Sequence, residues 1–260
     1  MCIRDRDRYI VFLKQVPQST KVDIDPVTNT LKRASAMSRT NPDDLCALQA
    51  ALDMKRDTGA EVVAVSMGPD KAVDVLREAL QLGADRAVLL SSPAFAGSDT
   101  LCTSMALAAV ARKIGFDMLF FGRMAVDGDT AQVGPEVAAQ LGIPQLTHIV
   151  EIDSVDKDSI TVTRENGETV QRLRVSTPCA LMASKEFTVA PPTLAGWRRA
   201  QRQEITRWSE ADIDLSPADV GLKASPTKVV STSVIRNKKN TRWIGSCEDF
   251  VQAMACCAAK

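Results

Sequence analysis

Continuous apolar runs alternate with helical patterns through the first 145 residues. The runs EVVAVSM at 61–67, RAVLL at 86–90 and DMLFF at 117–121 lack polar alternation, as expected of parallel strands covered on both faces. YIVFLKQV at 9–16 predicts the first strand. The segments between these runs place apolar residues at helical spacing. This order of strands and helices predicts βαβ units and a parallel sheet.

Start and stop signals predict three helices between these strands. The first begins after Asn41, with proline at its first position and two aspartates in its first turn, and it stops at Gly59. The second covers about 69–82 and the third about 98–115. Each lies between two predicted strands, so the sheet should carry helices as crossovers.

Two segments depart from this alternation. KVDIDPVTNTLKR at 21–33 has two short polar strands around a Pro-Val-Thr-Asn turn, which predicts a hairpin flap after the first strand. From Thr147 the short runs HIVEI, SITVT and VQRLRV follow one another, and Asn166-Gly167 is a strong hairpin signal. These runs predict a small antiparallel addition to the sheet.

Regular patterning fades after Ser184. A Pro-rich loop at 189–196 leads into a basic stretch at 197–208, and a tail follows from Leu215 to Lys260. Such a tail would bury little by itself, so we expect it to lie on another subunit. We interpret the charged first eight residues as an extension that does not belong to the fold.

Composition narrows the class of protein. Hydrophobic residues make up 45% and charged residues 25% of the chain, which is typical of a globular protein. The 32 basic and 32 acidic residues cancel, which argues against nucleic-acid or anionic-membrane binding. Seven scattered cysteines without a CxxC favour neither a disulfide framework nor a zinc site, and they predict a cytoplasmic protein. No apolar run reaches about 18 residues, so we expect neither a membrane span nor secretion.

The segment GRMAVDGDTAQVGPE at 122–136 is the main candidate for chemistry. It follows a buried apolar run directly, where open α/β sheets bind nucleotides. No GxGxxG follows the first strand, and the chain has no GxxxxGK[ST] motif. Backbone amides of 128–133, the Thr130 hydroxyl and the Gln132 amide can donate to phosphate. Asp127 and Asp129 suit ribose hydroxyls or the adenine amino group. The alternative is an ordinary turn in which these aspartates cap the next helix.

Other polar residues carry weaker signals. Asn41 to Asp44 could face the same crevice and contact adenosine, although the residues by themselves favour plain helix capping. Lys14 could neutralise a phosphate or simply be solvated. His148 is the only histidine, which leaves no catalytic triad and no histidine metal cluster. No catalytic acid, base or nucleophile is evident, and a ligand site without a catalytic set suggests a carrier. The basic run at 197–208, beside apolar Leu194, is either an exposed face or a docking element.

The chain resembles the β subunit of electron-transfer flavoproteins over residues 9–230. Five motifs in the family's order carry the resemblance: FLKQVP at 12–17, NPDD at 41–44, VSMGP at 65–69, the loop GRMAVDGDTAQVGP at 122–135, and SPT at 225–227. The resemblance implies an αβ heterodimer whose α subunit carries an electron-shuttling FAD on a mobile domain. The β subunit of such proteins holds a structural AMP or, in the bifurcating branch, a second FAD.

The resemblance also implies a fold and a domain organisation. The expected fold is α/β, a three-layer, doubly wound, mostly parallel sheet of the adenine-nucleotide-binding, Rossmann-like kind, with a small antiparallel addition. Residues 9–190 would form the nucleotide- or flavin-binding domain and 191–214 the recognition loop and basic segment. Residues 215–260 would form an extended C-terminal arm contacting the α subunit.

Carried over position by position, the resemblance places the cofactor contacts on nineteen residues. They are Phe12, Lys14, Asn41, Pro42, Asp43, Asp44, Met67, Gly122, Arg123, Met124, Ala125, Val126, Asp127, Gly128, Asp129, Thr130, Ala131, Gln132 and Val133. Leu194 falls where the family anchors a partner dehydrogenase, and Glu165 falls where relatives position the α subunit's flavin domain.

The branch is suggested by small side chains. Gly128, Ala131 and Val133 stand where AMP-binding relatives have bulkier residues, and the flap at 25–33 is absent from those relatives. We therefore expect FAD in this subunit. NADH would then be the donor, and an acyl-CoA-type dehydrogenase and ferredoxin or flavodoxin would be the acceptors. A non-bifurcating carrier with AMP is the alternative. A free-standing adenine-nucleotide sensor is a more remote one, since it would need neither arm nor recognition loop.

Overall fold

The computed structural model describes residues 7–18, 37–230 and 243–258. The strands, in chain order, are β1 Arg8–Phe12, β2 Gln15–Pro17, β3 Ser38–Thr40, β4 Glu61–Met67, β5 Arg86–Leu90, β6 Met118–Gly122, β7 Gln145–Val155, β8 Ser159–Asn166, β9 Thr169–Ser176, β10 Cys179–Ala183 and β11 Thr206–Trp208. The α-helices are α1 Pro42–Thr58, α2 Val73–Leu82, α3 Thr100–Ile114, α4 Val133–Leu141, α5 Leu194–Arg202, α6 Gly221–Ala224 and α7 Cys247–Ala258.

In the described part of the chain, nine strands form one sheet in the order β11-β5-β4-β1-β6-β10-β7-β8-β9. Neighbouring strands run parallel from β11 to β7. β8 is antiparallel to both of its neighbours, β7 and β9. The predicted mostly parallel sheet with an antiparallel addition is therefore confirmed.

Alternate side chains of the central strands enter two separate cores, because successive residues of a strand point to opposite faces. Tyr9 and Val11 pack with residues of α1 and α2. Ile10 and Phe12 pack with residues of α3 and α4. Helices thus cover both faces, which confirms the three-layer, doubly wound arrangement.

The first strand is shorter than predicted. β1 ends at Phe12, and Lys14 then accepts a hydrogen bond at its carbonyl from the N–H of Asn41, at 2.9 Å. The chain turns there, so Gln15–Pro17 pairs with Ser38–Thr40 as a separate antiparallel ladder. The flap predicted at 21–33 lies outside the described residues.

Arg8 belongs to the fold, although the sequence suggested an extension over residues 1–8. It begins β1, its Nε lies 2.6 Å from Oε2 of Glu61, and its guanidinium donates to the carbonyl of Ile114 at 2.5 Å. The strand therefore starts one residue earlier than predicted.

β10 and α5 are two of the elements that the sequence did not predict. β10 has the sequence CALMA and is buried at every position between β6 and β7. It is short and has no β-branched residue, so its apolar run does not distinguish a strand from a helix. α5 occupies the segment that we predicted to be irregular. The Thr193 hydroxyl caps it by accepting the N–H of Gly196 at 3.0 Å, and Arg77 of α2 donates to the carbonyl of Ala200.

The C-terminal region divides at residue 228. Residues up to Lys228 belong to one compact unit and those from Val229 to a second, which contains α7. The first part of the tail that we began at Leu215 therefore lies in the main unit. Its end is held by Asp99, whose Oδ2 accepts from the N–H and hydroxyl of Thr227 at 3.0 and 2.8 Å.

Candidate functional site

The sheet changes its winding direction between β1 and β6. The chain proceeds from β1 to β4 and β5 on one side, and then crosses to β6 on the other side of β1. In open α/β sheets, the crevice outside the carboxyl ends of such strands is where ligands bind. Here those ends lead into Lys14 and Gly122, so the loop after β6 lies at the switch point.

The start of this loop touches the first turn of α1 so closely that only glycine fits. A Cβ built on Gly122 would lie 2.6 Å from both the carbonyl carbon of Asp43 and the nitrogen of Asp44. It would also overlap the Asp44 carboxylate. The absent side chain at Gly122 therefore lets α1 pack against the loop.

Asn41 joins α1 to the loop. Its side chain is fully buried, Nδ2 donates to the carbonyl of Met124 at 2.8 Å, and Oδ1 accepts the N–H of Val126 at 3.2 Å. Asn41 occupies the N-cap position of α1, but its side chain makes no capping hydrogen bond. Plain capping, which the residues by themselves favoured, is therefore wrong for Asn41.

The carboxylates of the two aspartates at the start of α1 are also buried. Asp43 is buried, and its Oδ2 lies 3.4 Å from Nε of Arg123. Asp44 is 8% exposed, and its Oδ2 accepts the N–H of Lys14 at 2.8 Å. Burial raises the pKa of Asp44 to about 7, against hydrogen bonds from Asn41 and Lys14 that lower it. These carboxylates therefore connect β1, α1 and the loop.

Lys14 and Asp127 form an ion pair at the crevice. Nζ of Lys14 lies 2.8 Å from Oδ1 of Asp127, and the lysine side chain is half exposed. A Cβ built on Gly128 would have Lys14 Nζ, at 4.0 Å, as its nearest contact. Lys14 is therefore neither merely solvated nor buried, and the space beside Gly128 is open.

The N–H groups of the loop fall into two sets. Those of Gly128 and Asp129 donate to the carbonyl of Ala125 at 3.3 and 2.8 Å, so they close a turn within the loop. In the described part of the chain, the N–H groups of residues 130–132 donate to no protein acceptor. Of the predicted phosphate donors at 128–133, the N–H groups of Gly128 and Asp129 are therefore already used within the loop.

The backbone at 129–132 has an uncommon conformation. Asp129 and Ala131 have φ values of 53° and 54°, in the left-handed region, and Gln132 returns to the right-handed region at φ −98° and ψ −34°. A left-handed residue beside a right-handed one lets successive N–H groups converge on an anion. Asp127 and Asp129 do not cap α4, because its N-cap is Gln132 and no side chain bonds there. This stretch offers donors beside a helix N-terminus.

Two helix N-termini meet beside this stretch. The hydroxyl of Thr100, at the start of α3, lies 3.1 Å from Oε1 of Glu136 in α4 and 3.5 Å from Oε1 of Gln132. The sequence did not indicate that Thr100 lies beside the site. The start signal of α3 was visible at 98–99, but only the fold brings it beside α4.

Three predicted contacts have apolar side chains that pack in the core. Phe12 is buried and its ring stacks on Phe121, with centroids 4.7 Å apart. Met67 and Val133 are partly buried against the same core cluster. The structure therefore brings Lys14, residues 41–44 and the loop together. Phe12, Met67 and Val133 instead contribute apolar side chains to the core.

Comparison with known proteins identifies the family. Residues 28–213 match the profile of the electron transfer flavoprotein domain. The electron transfer flavoprotein subunit beta of Clostridium acetobutylicum is 46% identical over 227 residues, which cover 86% of each chain. Protein FixA of Bradyrhizobium diazoefficiens is 43% identical over 85% of this chain and 80% of its own. The caffeyl-CoA reductase-Etf complex subunit CarD of Acetobacterium woodii is 44% identical over 85% of this chain and 86% of its own.

The chain belongs to the electron transfer flavoprotein β-subunit family. Its members pair with an α subunit, and membership implies flavin or nucleotide binding in the heterodimer. In the described ranges, no helix of this β subunit is long and apolar enough to cross a membrane.

The two partner residues implied by the resemblance lie outside the crevice of this β subunit. Leu194 is the first residue of α5 and is 67% exposed, and Trp197 of the same helix is 49% exposed. Glu165 is exposed near the end of β8, where it pairs with Val170 of β9. The structure therefore has two further surfaces that are separate from the candidate cofactor site.

Proposed function

We propose that this β subunit holds FAD in the crevice between β1 and β6 and works in a bifurcating heterodimer with an electron transfer flavoprotein α subunit. In this proposal NADH is the electron donor, and an acyl-CoA-type dehydrogenase and ferredoxin or flavodoxin are the two acceptors. The observation that carries it is the exposed loop backbone from Gly128 to Gln132, where the nearest atom to a Cβ built on Gly128 is Lys14 Nζ, at 4.0 Å.

The loop offers the chemistry that a pyrophosphate needs. The N–H groups of 130–133, beside the N-terminus of α4, can donate to phosphate oxygens. The Thr130 hydroxyl and the Gln132 amide are exposed and can add donors. The carboxylates of Asp127 and Asp129 can accept from ribose hydroxyls. A pyrophosphate occupies a longer stretch of donors than a single phosphate does, so the uncovered stretch favours FAD over AMP.

Electron transfer here requires no acid, base or nucleophile from the protein. Bound FAD would supply the redox chemistry, accepting two electrons together and passing them on singly. This chain contributes binding and orientation: the ion pair of Lys14 with Asp127 and the buried carboxylates of Asp43 and Asp44 set the charge around the crevice.

The name of one relative supports the choice of partner. CarD is named as a subunit of a caffeyl-CoA reductase complex, and its 44% identity extends over most of both chains. An acyl-CoA-type dehydrogenase is a partner of the same chemical class. Exposed Leu194 and Trp197 on α5 offer it an apolar contact surface, since aromatic and apolar anchors dominate protein interfaces.

The experiment that tests this proposal counts the cofactors. The heterodimer is purified with added FAD and denatured, and the released ligands are quantified by visible absorption and chromatography. We expect two FAD and no AMP per heterodimer. One FAD and one AMP would overturn the bifurcating function and favour the non-bifurcating carrier.

The Gly128→Val variant tests whether the cofactor counted in this subunit is bound in the crevice. Its side chain enters open space, so the fold should tolerate it, while the ligand loses its close approach to the backbone. We expect more than tenfold weaker binding at this site, about 1.4 kcal/mol or more, with the α-subunit FAD retained. Unchanged retention of both cofactors would show that this loop does not hold the ligand.

A further inference from the structure

Asn41 makes two long-range hydrogen bonds that its local role does not require. An N-cap asparagine ordinarily accepts from the N2 or N3 N–H of its own helix, which contributes about 1 kcal/mol. The Asn41 side chain instead bonds Met124 and Val126, which are 83 and 85 residues away in the chain. Its burial is complete, so both ends of the amide need these partners.

The two bonds flank a residue that shapes the rest of the loop. Ala125 lies between Met124 and Val126, and its carbonyl accepts the N–H groups of Gly128 and Asp129. Because Asn41 bonds the residues on both sides of Ala125, it fixes the direction of the Ala125 carbonyl. The turn at 125–129 follows from it, and the uncovered stretch begins where this turn ends.

The loop therefore has two parts with different support. We call residues 122–126 the anchored half, because buried side chains of α1 contact it, and residues 127–132 the open half, which is exposed throughout. Beyond the pair of Asp127 with Lys14, the described side chains outside the loop form only one hydrogen bond to the open half, from Thr100 to Gln132 at 3.5 Å. Its placement depends largely on the anchored half.

We infer that Asn41 is a positioning residue, which fixes the anchored half and thereby aims the open half at the ligand. This assigns the Asn41 side chain a role through the loop rather than a direct contact with the cofactor. The inference rests on the proposed function for the identity of the ligand. The geometry of the ligand-free loop tests it independently.

Gln49 provides a matched control on the same helix. It is also buried, its Nε2 donates to Asp53 at 2.7 Å, and its Oε1 accepts the N–H of Ala190 at 3.0 Å. Asn41→Leu and Gln49→Leu each remove the hydrogen bonds of a buried amide, and Asn41→Leu also removes the bond from Asn41 to the Asp44 carboxylate. Only Asn41→Leu removes contacts to the loop.

The experiment uses the heterodimer freed of β-site ligand. Hydrogen exchange is measured at the amides of Val126, Gly128 and Asp129, and FAD and AMP are then titrated separately as probes. In Asn41→Leu we expect at least tenfold faster exchange at these amides and at least tenfold weaker binding of whichever probe the wild type binds. In Gln49→Leu we expect a comparable drop in Tm, with exchange in the loop and binding unchanged.

Two outcomes would overturn the inference. Equal loss of affinity in the two variants would make Asn41 a general stabilising residue, and unchanged exchange at 126–129 in Asn41→Leu would show that the loop holds itself. If Asn41→Leu does not fold, Asn41→Asp serves instead: it keeps an acceptor for the Val126 N–H and loses the amide donor to Met124 and to the Asp44 carboxylate. We then expect Val126 to stay protected while Gly128 and Asp129 exchange faster.

Failure of the proposed function would look different. A wild type that binds neither FAD nor AMP would contradict the nucleotide site, yet the exchange measurements would still decide whether Asn41 positions the loop.

Discussion

The crevice and helix α5 depart from the ordinary distribution of residues in opposite directions. In the crevice, Asn41, Asp43 and Asp44 are polar and buried. On α5, Leu194 and Trp197 are apolar and exposed. Buried polar groups must be paired inside the protein, whereas exposed apolar groups are covered only by another molecule. The first region therefore builds an internal shape, and the second presents a surface for contact with another molecule.

This difference predicts different consequences of mutation. A change in the crevice should alter folding and ligand binding together, since the same side chains hold helix, strand and loop. A change on α5 should alter the partner reaction and leave the fold intact.

The largest effect is expected for Gly122→Val. The new side chain would collide with backbone atoms of Asp43 and Asp44, which cannot move aside as a flexible side chain can. We expect no folded heterodimer, measured as soluble yield and cooperative urea unfolding. Gly128→Val, six residues later, faces open space and should fold normally. Equal stability of the two variants would contradict the close packing of α1 on the loop.

The next effect concerns Asp44 and pH. Its pKa is about 7 in the folded protein and about 3.9 when unfolded, so the folded state binds more protons between these values. The stabilisation from protonated Asp44 is complete below pH 4 and is lost as the pH rises through 7. A difference of about three pKa units corresponds to a free energy on the order of 4 kcal/mol.

Asp44→Asn should therefore gain stability over the wild type as the pH rises from 4 to 7, and hold that gain above pH 7. The asparagine Oδ1 can still accept the Lys14 N–H, so the fold keeps this contact. Urea unfolding of both proteins at pH 5, 6, 7 and 8 measures the difference, and Asp43 and Lys14, the charged groups that face Asp44, are present in both. Parallel pH profiles would mean that Asp44 does not titrate in this range.

A smaller effect is expected for Leu194→Ala on α5. Leu194 is 67% exposed and alanine favours a helix, so the truncation should barely change Tm or flavin content. Removing an interface anchor costs about 2 kcal/mol or more of binding, so the dehydrogenase should be reduced about thirtyfold more slowly at limiting concentration. Gln201→Ala, exposed on the same helix, is the control. Earlier unfolding with a normal rate would place Leu194 in the core.

The sequence predicted the parallel centre of the fold because buried strands and capped helices have strong local signals. It did not predict β10, whose five-residue run CALMA lacks a strand signature. It also did not predict α5, where glycine and arginines leave few apolar positions and Thr193 supplies the start. Both elements depend on tertiary packing, which outweighs weak local preference.

The fold brings together the site residues that the sequence singled out, but the sequence did not predict how their side chains are arranged. The residue types at 41–44 and 122–133 indicated a crevice, and the fold brings them together. An asparagine before a helix has the same local sequence whether its side chain bonds its own helix or a loop 83 residues away, as Asn41 does. Likewise, nothing local shows that the N–H groups of Gly128 and Asp129 are used by Ala125.

The smallest effect is expected in the open half of the loop. Ala131 has φ 54° without being glycine, and such a conformation costs about 1–2 kcal/mol for a residue with a Cβ. Ala131→Gly removes that strain but adds freedom to the unfolded chain, which offsets roughly 0.4–1 kcal/mol. A net gain of up to about 1 kcal/mol should raise Tm by a few degrees.

Because Ala131 is exposed and not among the contacts of Asn41, exchange at Val126 should stay unchanged. A drop in Tm would show that the open half is held by contacts of the Ala131 methyl group, which would remove the distinction between the two halves of the loop.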